Sequence, residues 1–329
     1  MISILKGLFY ALVFPGFLFC TTIGLLLLGI DRKLVARMQN RIGPPVIQPF
    51  YDFFKLAAKE RIIPSTASRK IFIVAPIIGL LSIITISLFI PINQIKTIFN
   101  NYADLVVIIY LLSIPALSIV IGGASSGSPF AGVGISREVV LMLAYELPLI
   151  IIVLAVGWKI GVKAGTGVTF SLANIVNYQV KNGPSISILS LVPAAIAFLM
   201  IIPCEVGTTP FDIAEAETEI CEGPFVEYGG LNLGLYKLMQ GIKIFVMISL
   251  FIALFASGII PASITGVPFI NSLIAIAWHL IFVVILLFLV ISLVRTITAR
   301  IKIEQAFKFF WTYPTIFSLI SLILVWAGL

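Results

Sequence analysis

The sequence predicts an all-α, polytopic membrane protein with about eight transmembrane helices, an interfacial amphipathic helix and a structured acidic loop. Two observations predict this class. The 329 residues are 60% hydrophobic and only 11% charged, with a mean hydropathy of +1.17, whereas about a quarter of the residues of a soluble domain are charged. The apolar stretches long enough to cross a bilayer, at roughly 20 residues each, come to about eight. A soluble globular fold is therefore excluded, and residues 1–329 are expected to form a single integral membrane domain.

We predict spans at 8–30, 71–91, 104–122, 138–158, 186–202, 236–259, 268–294 and 308–327. The first span follows a single lysine and has no small-residue cleavage site, so it is interpreted as retained. Most Lys and Arg residues lie in the connectors after odd-numbered spans. The positive-inside rule therefore places these connectors in the cytoplasm and both termini outside a plasma membrane. Among the other connectors, the Gly- and Ser-rich stretch 122–136 is predicted to be a flexible loop, while 159–184 and 260–267 carry no chemical signal.

The first cytoplasmic connector, residues 31–70, is basic and holds nine of the 21 Lys and Arg residues. Within it, residues 47–59 carry apolar side chains at helical spacing. This pattern predicts an amphipathic helix that lies along the membrane interface. Cations here and after the seventh span are expected to anchor the chain or dock partners: Arg32, Lys33, Arg37, Arg300 and Lys302.

The third cytoplasmic connector, residues 203–235, is acidic. Half of the 14 Asp and Glu residues lie between Glu205 and Glu227, with no Lys or Arg among them. Four of these acids recur at i, i+3, i+7 and i+10: Asp212, Glu215, Glu219 and Glu222. A helix over 210–222, capped by Asp212, would align them on one face. Carboxylates this close raise one another's pKa values and hold protons near neutral pH. The alternative is a solvated acidic loop that docks a basic partner. Proton handling and docking are compatible.

Titratable residues also lie inside predicted spans. Glu146 is followed by Pro148, which frees a backbone carbonyl, and a carboxylate in a transmembrane helix indicates function more than a structural ion pair. Glu138 lies at the cytoplasmic entry, where capping and conduction are equally expected. Lys243 is too deep for a helix-end residue and is expected to pair with Glu146 or a loop glutamate. His279 is expected to bond a neighbouring helix, with proton relay as the alternative.

The cysteines and the histidine offer no redox site. Cys20, Cys204 and Cys221 are far apart, and His279 is the only histidine. No metal or iron–sulfur site is therefore expected on this chain, and any redox cofactor belongs to a partner. A disulfide is not expected either, although Cys204 and Cys221 would meet if the loop between them folds back. The net charge of +7 is explained by the cytoplasmic connectors rather than by nucleic-acid binding.

Four sequence blocks point to a family. They are DRKLVARMQNRIGPP (31–45) with QPFYDFFKL (48–56), GSPFAGVGISREVVLMLAYELPL (127–149), PFDIAEAETEICEGPFVEYGG (210–230) and ARIKIEQAFKF (299–309). In these blocks the chain resembles the NADH dehydrogenase subunit 1 family of respiratory complex I. The form it resembles is found in membrane-bound energy-converting nickel–iron hydrogenases, formate hydrogenlyases and related archaeal-type sulfur-reducing complexes. The blocks extend over most of the chain, and PFD-x-x-EAE-x-E followed by EY is highly specific.

The resemblance implies a subunit that anchors a hydrophilic electron-transfer arm and couples its reaction, ferredoxin oxidation with hydrogen evolution, to proton or sodium translocation. The implied partners are a hydrogenase-like large subunit, an iron–sulfur subunit, antiporter-like membrane subunits and the lipid bilayer, with no nucleic acid. Iron–sulfur clusters and a nickel–iron centre would lie on those partners, so no catalytic residue is expected here.

Carried over onto matching positions, the resemblance implies ion-coupling roles for Glu138, Glu146, Asp212, Glu215, Glu217, Glu219 and Glu227. Arg41, Tyr145 and Tyr228 belong to the same motifs and are expected to support them. Two further residues are added from the sequence pattern. Glu222 is added to the ion-coupling carboxylates because of its spacing, and Lys243 to the supporting residues because of its depth in the span.

The chain departs from quinone-reducing members in two places, 127–146 and 221–223. At the second place those members have a small Val-Ala-Gly step, whereas this chain has Cys221-Glu222-Gly223, so a carboxylate lies where a quinone headgroup would pass. A sulfane sulfur reductase and a quinone-reducing complex I remain alternatives. A secondary transporter, more remote, predicts two related halves with interrupted spans, which the sequence lacks. A passive anchor gains nothing from intramembrane Glu146 and Lys243.

Overall fold

The computed structural model describes residues 2–92, 99, 102–165, 167–259 and 268–328. Within these residues, eight helical segments are long and apolar enough to cross a membrane. The prediction of an all-α polytopic membrane protein is confirmed. The predicted connector 260–267 lies outside the described residues.

The described α-helices follow in chain order: α1 (Ile2–Leu12), α2 (Phe17–Met38), α3 (Gln48–Ala58), α4 (Arg69–Phe89), α5 (Leu105–Ser126), α6 (Pro129–Lys163), α7 (Leu172–Asn182), α8 (Val192–Val206), α9 (Glu217–Ile220), α10 (Gly230–Phe251), α11 (Pro268–Leu286), α12 (Leu293–Ile297) and α13 (Ile303–Trp326). Helices α3, α7 and α9 are too short to span a membrane, while α1 and α12 are short pieces of the spans Gly7–Met38 and Ile270–Ile297. One end of the bundle carries α3 and residues 207–229, and it is called the charged end below.

Helix α10 forms the axis of the bundle. Its membrane-spanning window is 89% buried, against 33% for the windows of α2 and α13. It packs against α2, α3, α4 and α8. The contact with α2 is close because a Cβ on Gly24 would lie only 2.7 Å from the carbonyl carbon of Gly241. Lys243, two residues further on, is thereby carried into the centre of the bundle.

Far from the charged end, α10 continues into a π-helical turn, Ile252–Ala256. Such turns break the regular i to i−4 hydrogen bonding. The buried Gln179 of α7 donates from Nε2 to the carbonyl oxygens of Ala253 (2.8 Å) and Leu254 (3.0 Å), and its Oε1 accepts from the N–H of Ser257 (3.1 Å). These bonds fix the far end of α10 against α7.

Two predicted boundaries are wrong because helices continue past the apolar stretches. The predicted flexible loop 122–136 is instead the end of α5 and the start of α6, joined through Gly127 with φ 72°. The basic segment 31–70 begins as two further turns of α2, which ends at Met38. Small polar residues do not interrupt α5, since hydroxyls such as that of Ser125 donate to a carbonyl of their own helix (2.6 Å).

The amphipathic helix predicted at 47–59 is confirmed as α3. Phe53 packs towards the core, whereas Tyr51 and Phe54 are 62% and 64% exposed. An ion pair between Arg32 Nη1 and Asp52 Oδ2 (2.9 Å) ties α3 to α2. Burial alone would raise the pKa of Asp52, but the bonds and charges of its neighbours, led by Arg32, hold it below the ordinary 3.8.

Candidate functional site

Residues 207–229 form a folded loop at the charged end, not the helix predicted over 210–222. Helix α9 is only four residues long, so the four carboxylates do not share a helical face and Asp212 caps no helix. The helix ends at Ile220 because Cys221 and Glu222 adopt positive φ values of 50° and 69°. The loop is held in place instead by ion pairs with cations from other parts of the chain.

The first of these ion pairs joins Asp212 to Arg300 in a bidentate geometry. Arg300 Nε lies 2.9 Å from Oδ1 and Nη2 lies 2.6 Å from Oδ2. Hydrogen bonding to Asp212 raises the pKa of Arg300, so the guanidinium stays charged in this pair. Arg300, which was predicted to anchor the chain or dock a partner, binds the loop of its own chain through this pair.

Two further ion pairs bind the loop to membrane helices. Arg137 of α6 donates to Glu219 (2.6 Å) and to the carbonyl oxygen of Ile213 (3.2 Å). Lys237 of α10 places Nζ 3.7 Å from Oε2 of Glu215, whose side chain is 22% exposed. The loop therefore rests on α6 and α10.

Glu215 is the loop carboxyl with the clearest electrostatic perturbation. Burial raises its pKa above the ordinary 4.5, Lys237 partly offsets this, and nearby Asp212 and Glu222 add to it. Glu215 is therefore better suited than an ordinary glutamate to take up a proton near neutral pH.

Beneath the loop, Glu205 and Lys243 form a buried ion pair. Oε1 of Glu205 and Nζ of Lys243 are 2.8 Å apart, and the two side chains are 1% and 6% exposed. Sequence reasoning did not nominate Glu205, which it left among the loop acids, whereas the structure places it in the last turn of α8. The sequence does contain an indication that Glu205 is buried, because Glu205 directly follows the apolar run Ile201–Cys204. Helix α8 extends past the predicted end at 202 and includes it.

Three residues of α6 surround this pair. Glu138 is half-buried and lies within electrostatic range of Lys243, Glu205 and Glu215. Tyr145 is buried with its hydroxyl against Glu205. Glu146 is half-buried and interacts electrostatically with Glu205. Of the two partners predicted for Lys243, Glu146 or a loop glutamate, the structure supports the second, since Glu205 belongs to the predicted acidic connector. Electrostatic interactions therefore link Glu215 of the loop to Glu138 and Glu205, and Glu205 to Glu146.

Glu146 also borders the outside of the bundle. It lies on the same side of α6 as Leu143 and Ile150, which are 57% and 46% exposed. The group of residues around the Glu205–Lys243 pair thus reaches, through Glu146, a lateral surface that faces lipid or a neighbouring subunit.

Two cavities are lined by Glu215, Glu138 and Glu205 of this set. The outer cavity, about 400 Å³, opens at the charged end and is lined by charged residues that include Asp31, Asp212, Glu217, Glu222 and Arg300. The inner pocket, about 30 Å³, is lined by Glu138, Cys204, Glu205 and Lys243 among others.

A volume the size of the inner pocket holds about one or two waters. The cavities share a wall formed by Gly207, Glu215, Phe225, Lys237 and Gln240.

Comparison with known proteins identifies the family, because the NADH dehydrogenase family matches residues 11–326. The chain belongs to the NADH dehydrogenase family. Hydrogenase-4 component C of Escherichia coli is 36% identical to it over 227 residues, 69% of each chain. Formate hydrogenlyase subunit 4 of the same organism is 33% identical over 230 residues, 70% of this chain and 72% of the relative. A subunit of the NADH-quinone oxidoreductase of Dehalococcoides mccartyi strain CBDB1 is 28% identical over 324 residues, 96% and 85% of the two chains.

A solved structure gives the same result. A chain of the membrane-bound sulfane sulfur reductase, an archaeal respiratory membrane complex, superposes with a TM-score of 0.86 at 33% identity, over 98% of this chain and 99% of that one. This member of the NADH dehydrogenase family is therefore a membrane subunit of a complex I-like or hydrogenase-like respiratory complex.

Other nominated residues of this NADH dehydrogenase family member lie apart from the buried pair. Glu217 and Glu227 are exposed, and so are the predicted docking or supporting cations Lys33, Arg37, Arg41 and Lys302. Tyr228 is buried, stacks on Phe72 at 4.0 Å between ring centroids and donates to the Phe72 carbonyl oxygen (3.2 Å), so it braces α4.

His279 and the cysteines have local roles in the fold. Nε2 of His279 lies 3.0 Å from Oγ of Ser249 on α10, which confirms the expected bond to a neighbouring helix. Cys204 is buried, Cys221 is exposed and both thiols are free.

Sequence reasoning missed one more buried carboxylate, Asp31. It is 1% exposed and accepts from Oγ of Ser292 (2.7 Å) and Nη1 of Arg295 (2.6 Å). The prediction placed Asp31 at the start of a loop, but α2 continues through it.

Proposed function

We propose that the chain couples the redox reaction of a hydrophilic arm, ferredoxin oxidation with hydrogen evolution, to proton or sodium translocation in the membrane. The buried Glu205–Lys243 ion pair carries this proposal. Taking two charges out of water into the most enclosed helix of a membrane bundle is costly, and a passive anchor has no use for them. The hydrogenase-4 and formate hydrogenlyase relatives support the choice of reaction.

In this proposal the charged end faces the cytoplasm of a cell with the protein in its plasma membrane, in keeping with the positive-inside rule. The hydrogenase-like large subunit and the iron–sulfur subunit dock there, and they carry the clusters that change charge during turnover. The exposed cations Lys33, Arg37, Arg41 and Lys302 offer contacts for those partners. Antiporter-like subunits lie against the lateral surface beside Glu146.

The coupling is electrostatic. A change of charge next to the outer cavity shifts the pKa of the loop carboxylates, first that of Glu215. Two charges ~8 Å apart at an effective dielectric of ~20 interact by ~2 kcal/mol, about 1.5 pKa units. Such a shift moves a proton between neighbouring groups, so the signal passes from Glu215 through Glu138 to the Glu205–Lys243 pair. Glu146 then presents the altered charge to the adjacent subunit.

A sulfane sulfur reductase is the second candidate, because the match to that complex extends over 98% of the chain. A quinone reductase is less well supported. Glu222 lines the outer cavity, and a polar carboxyl group there opposes entry of an apolar quinone headgroup.

The acceptor is tested by purifying the intact complex in detergent and supplying reduced ferredoxin. Hydrogen release is the expected result. Polysulfide turnover without hydrogen would assign the chain to the sulfur-reducing relative, and quinone turnover would contradict the interpretation of Glu222.

The coupling role is tested with Glu146→Gln in inverted membrane vesicles. We expect redox turnover to continue while ion uptake is lost, because the substitution removes a charge and little volume. Glu304→Gln, at an exposed position of α13, is the matched control and should leave both unchanged. Undiminished ion uptake in Glu146→Gln would support a passive anchor.

A further inference from the structure

The outer cavity and the inner pocket are adjacent but separate. The outer cavity opens at the charged end, whereas the inner pocket contains the carboxylates of the buried cluster. Water that moves from the outer cavity to Glu138 or to the Glu205–Lys243 pair passes the shared wall. The side chains of that wall therefore control the hydration of these residues from the outer cavity.

Most of the wall is fixed. Gly207 ends α8 with φ 73°, and Phe225 is buried. Gln240 donates from Nε2 to the carbonyl oxygen of Val206 (3.4 Å), which ties this part of α10 to α8. These contacts leave little freedom for the backbone or side chains on either side of the passage.

Lys237 is the adjustable member of the wall. Its side chain is 44% exposed, and Nζ is held by two partners, Oε2 of Glu215 at 3.7 Å and the ring of Phe225 at 5.6 Å from the centroid. Both contacts are weak enough to break, since ion pairs and cation–π contacts at partly exposed sites are each worth about 1 kcal/mol or less, a factor of about five in an equilibrium. The flexible four-carbon stem can then swing into the outer cavity.

We propose that Lys237 is a latch that closes the passage between the outer cavity and the inner pocket while it is paired with Glu215. Loss of the pair releases the lysine and admits water to Glu138 and the Glu205–Lys243 pair. This inference deepens the proposed function, because it gives the acidic loop a means of controlling access to the buried carboxylates.

The surroundings make Glu215 the group that holds or releases the latch. Asp212 and Glu222 face it from the loop, Glu138 faces it from α6, and Lys237 faces it from α10. Burial, together with Asp212 and Glu222, favours uptake of a proton by Glu215, whereas Lys237 opposes it. A neutral Glu215 no longer attracts the lysine.

The chain carries its own reporter of access. Cys204 lines the inner pocket and is 6% exposed, whereas Cys221 is exposed in the loop. The silver ion is small enough to follow water and binds thiols. The intact complex in detergent is exposed to Ag⁺ for timed intervals and denatured, and the remaining free thiols are alkylated. Mass spectrometry of the peptides then gives the modification rate of each cysteine.

In the native complex we expect Cys204 to react far more slowly than Cys221. Lys237→Met should accelerate Cys204 by about fivefold, as expected for loss of a partly exposed ion pair, and Glu215→Gln should do the same because it releases the lysine. Lys237→Arg should keep the slow rate, and Lys181→Met, at an exposed site of α7, is the control. Cys221 should react equally in all of them.

Equal rates at Cys204 in native, Lys237→Met and Glu215→Gln proteins would overturn the latch, as would a native Cys204 that reacts as fast as Cys221. Cys20, fully buried in α2, monitors folding: if it becomes reactive in Lys237→Met, the isosteric Glu215→Gln decides the test. Because the readout is access rather than turnover, the latch and the proposed function can fail separately.

Discussion

The buried Glu205–Lys243 ion pair predicts a strongly non-additive response to substitution. The charged atoms are 2.8 Å apart in side chains that are 1% and 6% exposed. Removal of one partner leaves an uncompensated buried charge, at a cost of about 3–5 kcal/mol, whereas replacement of both is close to neutral. With an unfolding entropy of about 2.1 cal/mol/K per residue, a chain of 329 residues should lose roughly 4–7 °C in its melting midpoint.

The assay is a thermodynamic cycle with Glu205→Gln, Lys243→Met and the double variant. Thermal unfolding of the detergent-solubilised complex is followed through the reactivity of Cys20, which is fully buried in the native state. Each single variant should melt lower by the stated amount, and the double variant should recover most of the loss. Lys181→Met removes an exposed charge of α7 and should not move the midpoint.

Two results would refute this reasoning. Single variants that melt like the native protein would mean that the charges are hydrated and not desolvated together. A double variant that melts as low as the sum of the two single losses would mean that the residues do not interact.

Three further predictions concern the loop and the central helix. Arg300→Lys loses the bidentate geometry with Asp212, so limited proteolysis should cut residues 207–229 faster. Burial raises the pKa of Glu215, so its protonated-carboxyl infrared band should persist above pH 4.5, and Lys237→Met should move its loss to still higher pH. The folded chain thus binds the proton of Glu215 more tightly than the unfolded chain does. The contribution of this group to the free energy of unfolding therefore falls as pH rises through its raised pKa. Gly241→Val brings a Cβ to 3.2 Å from the backbone of α2 and should cost about 1–3 kcal/mol, seen as a lower melting midpoint.

Each of these has a matched control. Lys181→Arg should leave the cleavage rate unchanged, and Glu304→Gln should leave the infrared band in place, since both residues are exposed. Gly132→Ala introduces a Cβ into open space and should melt like the native protein. Unchanged proteolysis in Arg300→Lys would contradict the bidentate pair with Asp212. An unchanged band in Glu215→Gln would mean that the band does not belong to Glu215. A native melting point in Gly241→Val would contradict the close approach of α10 to α2.

The sequence alone determined the class, the eight spans and the amphipathic helix α3. It did so because transfer from water to lipid depends on local composition, which a window of about 20 residues contains in full. It also determined that Lys243 and Glu146 lie at membrane depth, since their flanks are apolar. The family, too, followed from contiguous motifs. None of these conclusions required knowledge of which helices touch.

The tertiary structure alone decided how the charges are paired. The acidic segment contains no Lys or Arg, yet Glu219 pairs with Arg137, 82 positions away, and Asp212 with Arg300, 88 positions away. Spacing suggested a regular helix for these acids, but attraction to cations on distant helices and the turn at Cys221 gave a loop. The partner of Lys243 was likewise set by the packing of α8 on α10. The desolvation cost of a buried charge is offset by an opposite charge that the folded bundle brings into contact with it. That opposite charge can come from any place in the sequence.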